Sequence, residues 1–215
     1  MASVEQPSGR ASDAAHLFAA EAAYADSIFR SVLRDGSGCV DALRRSLEYA
    51  PAYAPAILAL GSVEYQLGHR IKGRRLLFSL LDLPDNTEDL FEIIDKAGDF
   101  LIQSHRYSEG LAFYRQAAAR YPKVAVFHQG VGCCAGHKGV HEEAIRASRA
   151  ALAIEPDNQR LVNDLGWSLC EAGRLDEAFT VLKNAVSMDK KNALAAENLK
   201  VCASHMKART SRRRK

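Results

Sequence analysis

Cys133, Cys134, His137 and His141 make the one cluster in this 215-residue sequence whose residue types suggest metal chemistry. Cys133 and His137 are four apart, so on a helix they share a face. Zinc needs four ligands converging on a tetrahedron. Cys134 points about 100° away on the same helix, and Gly139 breaks the chain before His141. The set does not close on a metal, and cysteine serves equally as a small buried apolar residue. A reactive Cys133 thiol near His137 is the remaining chemical alternative. No nucleophile–base–acid set can be placed, and no glycine-rich phosphate loop follows a strand pattern. The carboxylate pairs Glu142-Glu143 and Asp176-Glu177 open helices, where acids favour the positive end of the helix dipole. No catalytic residue, metal or cofactor is therefore expected.

Binding chemistry has better candidates. Trp167 is the sole tryptophan, either an aromatic anchor for a ligand or a packing residue. The end of the chain is basic: Lys207, Arg209, Arg212, Arg213, Arg214 and Lys215 follow one another with no acid between them. The net charge is +3, so without these six residues the rest carries −3. Such a tail could contact nucleic acid or an anionic surface through phosphates, or only solubilise the chain. With no interleaved aromatics it offers no base specificity.

Cellular context follows from absences. No apolar run is long enough to span a bilayer, and Met1 to Asp13 lacks the basic-then-apolar pattern of an export signal. Five irregularly spaced cysteines then read as reduced thiols, which points to the cytoplasm.

The elements that must position these residues are helices. Residues 1–11 contain Pro7, Ser8 and Gly9 with little to bury and read as disordered. Ser12 or Asp13 can cap a helix to about Arg34, and a second runs from about Cys39 to Tyr49. Residues 12–53 thus form an N-terminal pair, a cap or a degenerate repeat. From residue 54 a pattern recurs. Leu165-Gly166-Trp167, Gly173, Glu177-Ala178 and Ala185 echo Val131-Gly132-Cys133, Gly139, Glu143-Ala144 and Ala151 at a period of 34, the mark of a helical repeat array. Midpoint glycines (Gly61, Gly98, Gly132, Gly166) let a second helix come close, and small residues on that helix answer them. Gly68, Gly139 and Gly173 suit the turns, and Pro84, Pro122 and Pro156 close the units. Pro84 and Pro122 are 38 apart rather than 34, which predicts an extra helical turn lengthening the helix from Glu88.

These residues closely resemble the tetratricopeptide repeat. Pro156, Leu165-Gly166-Trp167, Gly173-Arg174-Leu175-Asp176-Glu177-Ala178 and Ala185 carry the likeness best, and the copy from Val131 to Ala151 repeats it. Repeat one is weaker, with Gly73 and Leu80 on its second helix. The resemblance implies an all-α solenoid, a right-handed superhelix of stacked antiparallel helix pairs. About four repeats with helical caps would span residues 54–206, before a disordered basic tail at 207–215.

The resemblance also implies an inner face built from first helices. Offsets −6, −3, −2, +1, +4 and +5 from each midpoint glycine share that face. Its polar members include Glu92, Asp95 and Asp99 in repeat two, Gln129 and His137 in repeat three, and Asn163, Asp164 and Glu171 around Trp167 in repeat four. Asn198 on the last helix completes them. Over the whole face six acids stand against Lys96 and Arg160. A clamp for a C-terminal carboxylate is disfavoured, because its possible members, Asn163, Asn198, Lys96 and Arg160, are scattered among acids. The expected role is a non-catalytic adaptor holding a neutral or basic protein or peptide, with Trp167 or Tyr65 as apolar anchor. The basic tail could fold back onto the same face, and exposed apolar ends could make the chain a homo-oligomer.

Overall fold

A computed structural model describes the backbone of residues 8–213 and the side chains of residues 12–211. Among these residues there are eleven α-helices and one short 3-10 turn, and no strand. The helices are α1 (Ser8–Val32), α2 (Gly36–Tyr49), α3 (Ala54–Gln66), α4 (Arg70–Ser79), α5 (Leu90–Gln103) and α6 (Tyr107–Arg120). They continue as α7 (Ala125–His137), α8 (His141–Ile154), α9 (Gln159–Glu171), α10 (Leu175–Met188) and α11 (Ala193–Arg213). The chain divides inside α5 into two compact units, residues 1–97 and 98–215.

In the first unit α1 pairs with α2 and α3 with α4. Asp35 caps α2 by accepting from the Gly38 amide at 2.9 Å, and Arg30 Nη1 donates to the same carboxylate. Ser46 Oγ donates to the Ala20 carbonyl at 2.8 Å and ties the back of α1 to α2. Val40, Leu43, Ala56 and Leu60 form the core between the pairs. Helix α1 begins at Ser8, ahead of the expected cap at Ser12 or Asp13, so residues 8–11 are helical; residues 1–7 lie outside the described residues. The four extra residues of repeat one do not lengthen the next helix. That helix starts at Leu90, and the insertion is absorbed by the 3-10 turn Leu80–Asp82 and the loop after it.

One buried charge organises this unit. The Glu64 side chain is 1% exposed and receives Lys72 from α4, His69 from the turn and Arg44 from α2. The His69 and Arg44 contacts measure 2.7 and 3.2 Å. These three half-open side chains cover the carboxylate, rather than deep packing. Lys72 does most to hold its pKa at about 2 against an ordinary 4.5, aided by His69 and Arg44 and opposed by desolvation.

In the second unit α7 pairs with α8 and α9 with α10, and α11 packs on α10. Leu165, Leu169, Leu175, Ala178 and Leu182 fill the core with Cys170 and Cys202. The turn glycines adopt the left-handed conformation, at φ +89° for Gly68, +71° for Gly139 and +75° for Gly173. His105 takes the equivalent place in repeat two at φ +57°, a conformation that costs a non-glycine residue about 1 kcal/mol.

The midpoint glycines sit where the helices of a pair cross. A Cβ on Gly166 would lie 2.6 Å from Leu182 Cγ, and one on Gly61 would lie 3.0 Å from a Leu77 methyl. In repeat two the partner is Tyr114, whose ring fills the notch left by Gly98 and Gly130. Leu77, Tyr114, Ser148 and Leu182 occupy the same register, sixteen residues after each midpoint glycine. The residue that needs the notch is therefore a large side chain in three repeats of four. Gly110 and the fully buried Ala117 are the small residues of this second helix, and a Cβ on Gly110 would lie 3.6 Å from Leu101 on α5. Repeat one also has its small residue: a Cβ on Gly73 would lie 2.7 Å from the Gly61 carbonyl.

The basic end departs from expectation as well. Instead of fraying at Lys207, α11 continues as helix to Arg213. Arg209 Nη2 donates to both carboxylate oxygens of Asp176 on α10 at 2.9 Å. Arg212 and Arg213 lie on this helix, and Arg214 and Lys215 lie outside the described residues.

Gly166→Ala should destabilise the fold by about 1–3 kcal/mol, because overpacking at Leu182 outweighs the gain in helix propensity. Gly132→Ala, whose Cβ would lie 3.1 Å from the Ser148 hydroxyl and no nearer than 3.6 Å to the Ala144 carbonyl, should change stability by less than about 1 kcal/mol. Urea denaturation of the two variants checks the contrast. Glu64→Gln should cost about 2 kcal/mol at neutral pH, a discounted buried-pair value because the partners are half exposed. Since the folded pKa is depressed, the contribution of Glu64 is full above about pH 4.5 and fades as pH falls toward 2. Wild type and variant should converge over that window in melts followed by circular dichroism.

Candidate functional site

Asn158 starts α9 by accepting from the Arg160 and Leu161 amides, and Asn192 starts α11 by accepting from the Ala195 amide. These caps set the register in which the faces of α7, α9 and α11 meet. Gln129 Nε2 donates to Asp164 Oδ2 at 2.6 Å across the α7–α9 seam. Asn198 Nδ2 donates to Asn163 Oδ1 at 3.0 Å across the α9–α11 seam. The two bonds join equivalent positions, an offset −3 residue and an offset −2 residue one repeat on, 35 positions away, with donor and acceptor exchanged. Arg160 Nη2 extends the first by donating to Gln129 Oε1 at 3.0 Å.

The face so built is acidic. Asp99 is exposed and accepts from the Tyr114 hydroxyl at 3.3 Å. Asp164 is only partly open, and desolvation raises its pKa despite Gln129, Arg160 and Asn163, which pull the other way. Glu171 is exposed at the end of α9. Trp167 is half-buried one position beyond Gly166. Among the described residues its indole N–H has no hydrogen-bond partner.

Some expected members do other work. Asn163 is 3% exposed and braces the seam rather than facing solvent. His137 stacks on Tyr107 with ring centroids 4.1 Å apart and planes 11° from parallel, and Tyr107 in turn meets His105. Glu92 and Asp95 belong to the first unit. There Glu92 is exposed and pairs with Lys96 at 2.6 Å, and Asp95 is half-buried. Tyr65, expected as an alternative anchor, is buried. The four carboxylate-clamp candidates are all engaged: Lys96 with Glu92, Arg160 with Gln129, and the two asparagines with each other.

The cysteines are poorly placed for chemistry. Cys133 is exposed, yet the protein around its thiol desolvates it and Asp164 and Asp99 add to the effect, so its pKa rises. Burial pushes the Cys134 thiol to about 12, with Cys133 and Asp99 adding. Among the described residues no group of three or more His, Cys, Asp or Glu side chains is arranged to hold a metal ion. No described helix is long and apolar enough to cross a membrane.

Residues 138–200 match the family model for the tetratricopeptide repeat. Residues 138–200 carry tetratricopeptide repeat sequence. Solved structures of the same repeat fold cover most of it. A MamA structure matches with TM-score 0.57 and 19% identity over 81% of this chain and 94% of the other. YrrB, described as a TPR protein with an unusual peptide-binding site, matches with TM-score 0.58 and 16% identity over 83% and 90%. MamA 41-end from Desulfovibrio magneticus RS-1 matches with TM-score 0.57 and 15% identity over 81% and 97%. At these identities the likeness establishes the fold. The tetratricopeptide array in turn explains why the faces of α7, α9 and α11 align in register.

The paired −3 and −2 residues were the feature sequence reading missed. Gln129 with Asp164 and Asn163 with Asn198 share a separation of 35, one more than the repeat, and that coincidence was the available signal. Asp164→Asn should speed alkylation of Cys133 by iodoacetamide about two- to threefold at pH 8, because a nearby negative charge that disfavours the thiolate is removed. Peptide mass spectrometry against time reads the rate, and an unchanged rate would refute the coupling.

Proposed function

We propose that this protein is a non-catalytic interaction module and that the α7–α9–α11 face of its second unit holds a neutral-to-basic peptide segment. The observation that carries this reading is Asp164. It is a desolvated carboxylate that two amides and one guanidinium leave incompletely compensated, beside a half-open tryptophan. A lysine or arginine of a ligand would supply the missing positive charge, and its neighbouring apolar residue would cover Trp167. Asp99 on α5 and Glu171 at the end of α9 add exposed acids to this surface. The repeat fold supports a protein or peptide partner, and the engaged clamp residues count against capture of a free C-terminal carboxylate.

Charge contributes chiefly to the rate of encounter and to specificity, and the aromatic anchor to residence.

Trp167 reports its own occupancy, being the sole tryptophan. Titration with short peptides containing Arg or Lys beside a Leu or Phe should shift its emission, whereas acidic versions of the same peptides should not. Trp167→Ala should weaken binding, measured by calorimetry, about tenfold or more, or about 1.4 kcal/mol. Affinity should fall with added salt. It should also fall as the solution is acidified, since desolvation raises the pKa of Asp164 and it takes up a proton before ordinary carboxylates do. Equal affinity for acidic and basic peptides would end this reading.

A further inference from the structure

Helix α1 is apolar on two opposite faces. One is buried: Ala20 and Ser27, seven apart, lie against the rest of the first unit. The other is open. Phe18, Phe29 and Val32 are 72%, 63% and 76% exposed, and Ala15, Ala22 and Ala25 between them are exposed too. A helix apolar all round is normally buried all round.

The exposed residues are not scattered. Ala15, Phe18, Ala22, Ala25, Phe29 and Val32 are spaced 3, 4, 3, 4, 3, the seam of a helix that packs on another helix. That series reads the same in both directions about a point between Ala22 and Ala25. An antiparallel copy turned about that point sets Ala22 beside the partner's Ala25, Phe18 beside the partner's Phe29, and Ala15 beside the partner's Val32. Small residues at the centre let the axes come to about 8 Å, and an aromatic pair closes each side. An interface with a two-fold axis must be self-complementary in this way.

Charge selects the direction. In a parallel pair the flanking positions would bring Glu21 against the partner's Asp26, two like charges on each side. The antiparallel pair sets Glu21 beside the partner's Ile28 and Asp26 beside the partner's Ala19. Asp26 is in any case held within its own chain by Arg30 and Arg45. The area is sufficient. With Leu33 and part of Ile28 at its edges, the seam offers on the order of 700 Å² per copy, so a pair buries about 1,400 Å², within the usual range for a stable interface.

We propose that the open face of α1 is occupied by α1 of a second copy of this chain, antiparallel about a two-fold axis between Ala22 and Ala25. The contact lies in the first unit.

Sedimentation velocity of the full chain, from low to high micromolar concentration, should show a reversible dimer. Phe18→Glu with Phe29→Glu should lower the association constant at least about 100-fold, since charges are buried without partners, while the far-ultraviolet circular dichroism is unchanged. If that variant loses its helix signal, Ala22→Lys alone, which sets two like charges beside the axis, serves instead. Direction is read by mixing Ala15→Cys and Val32→Cys chains under diamide and mapping cross-links by mass spectrometry: 15-to-32 links between chains are expected. A wild type that stays monomeric, a dimer indifferent to these substitutions, or 15-to-15 links as the main product would each overturn the proposal.

Discussion

The fold depends on how closely two helices of a repeat can cross. At Gly166 the space for a Cβ is already taken by Leu182, and at Gly98 and Gly130 it is taken by the Tyr114 ring. Without those notches each second helix would stand off from its first, and the apolar faces of successive units would not meet. Leu182 and Tyr114 are fully buried because the glycines let them in. The large side chain then does what a small–small contact cannot: it fills the crossing and fixes the rotation of one helix against the other. Tyr114 carries that fixation outward, since its hydroxyl donates to the exposed Asp99.

Register in the second unit has a polar complement to this apolar constraint. Gln129–Asp164 and Asn163–Asn198 join the same two positions one repeat apart, with donor and acceptor exchanged. Each satisfies a side chain that packing has taken from water, and an unpaired amide or carboxylate there would cost several times what the bond contributes. The seams are consequently polar ladders backed by an apolar core. That arrangement suits a surface that must present charge in fixed positions. It also explains why Asn163, which looked like a ligand residue from its place on the helix, is committed to the scaffold instead.

The two units solve the problem of helix ends differently. In the first, Glu64 draws α2, the α3–α4 turn and α4 together through Arg44, His69 and Lys72 around one carboxylate. In the second, the last pair is covered by α11, which runs on to Arg213 and sets Arg209 on Asp176. A terminal unit needs a polar outer surface to stay soluble, and α11 provides one. Helix α1 does not. It leaves a regular apolar stripe in the open.

Periodicity alone was enough to establish the helices, their pairing and the two best repeats, because a recurrence of glycine, alanine and proline at 34 residues restricts the backbone directly. Turns at Gly68, Gly139 and Gly173 were legible for the same reason, whereas His105 at the equivalent turn carried no such signal. Which residue fills each glycine notch was not legible, since it depends on the rotation of one helix against another and not on spacing along either. Nor was the state of the face residues. Offsets placed Asn163, Asp164 and Trp167 together, but only the packed structure decided that Asn163 is spent on Asn198, that Asp164 is desolvated, that Tyr65 is buried, and that Trp167 stays half open. Sequence assigns side chains to a helix face through the 3.6-residue turn. Burial and charge state arise from neighbours one repeat away, and these are set only when the helices stack.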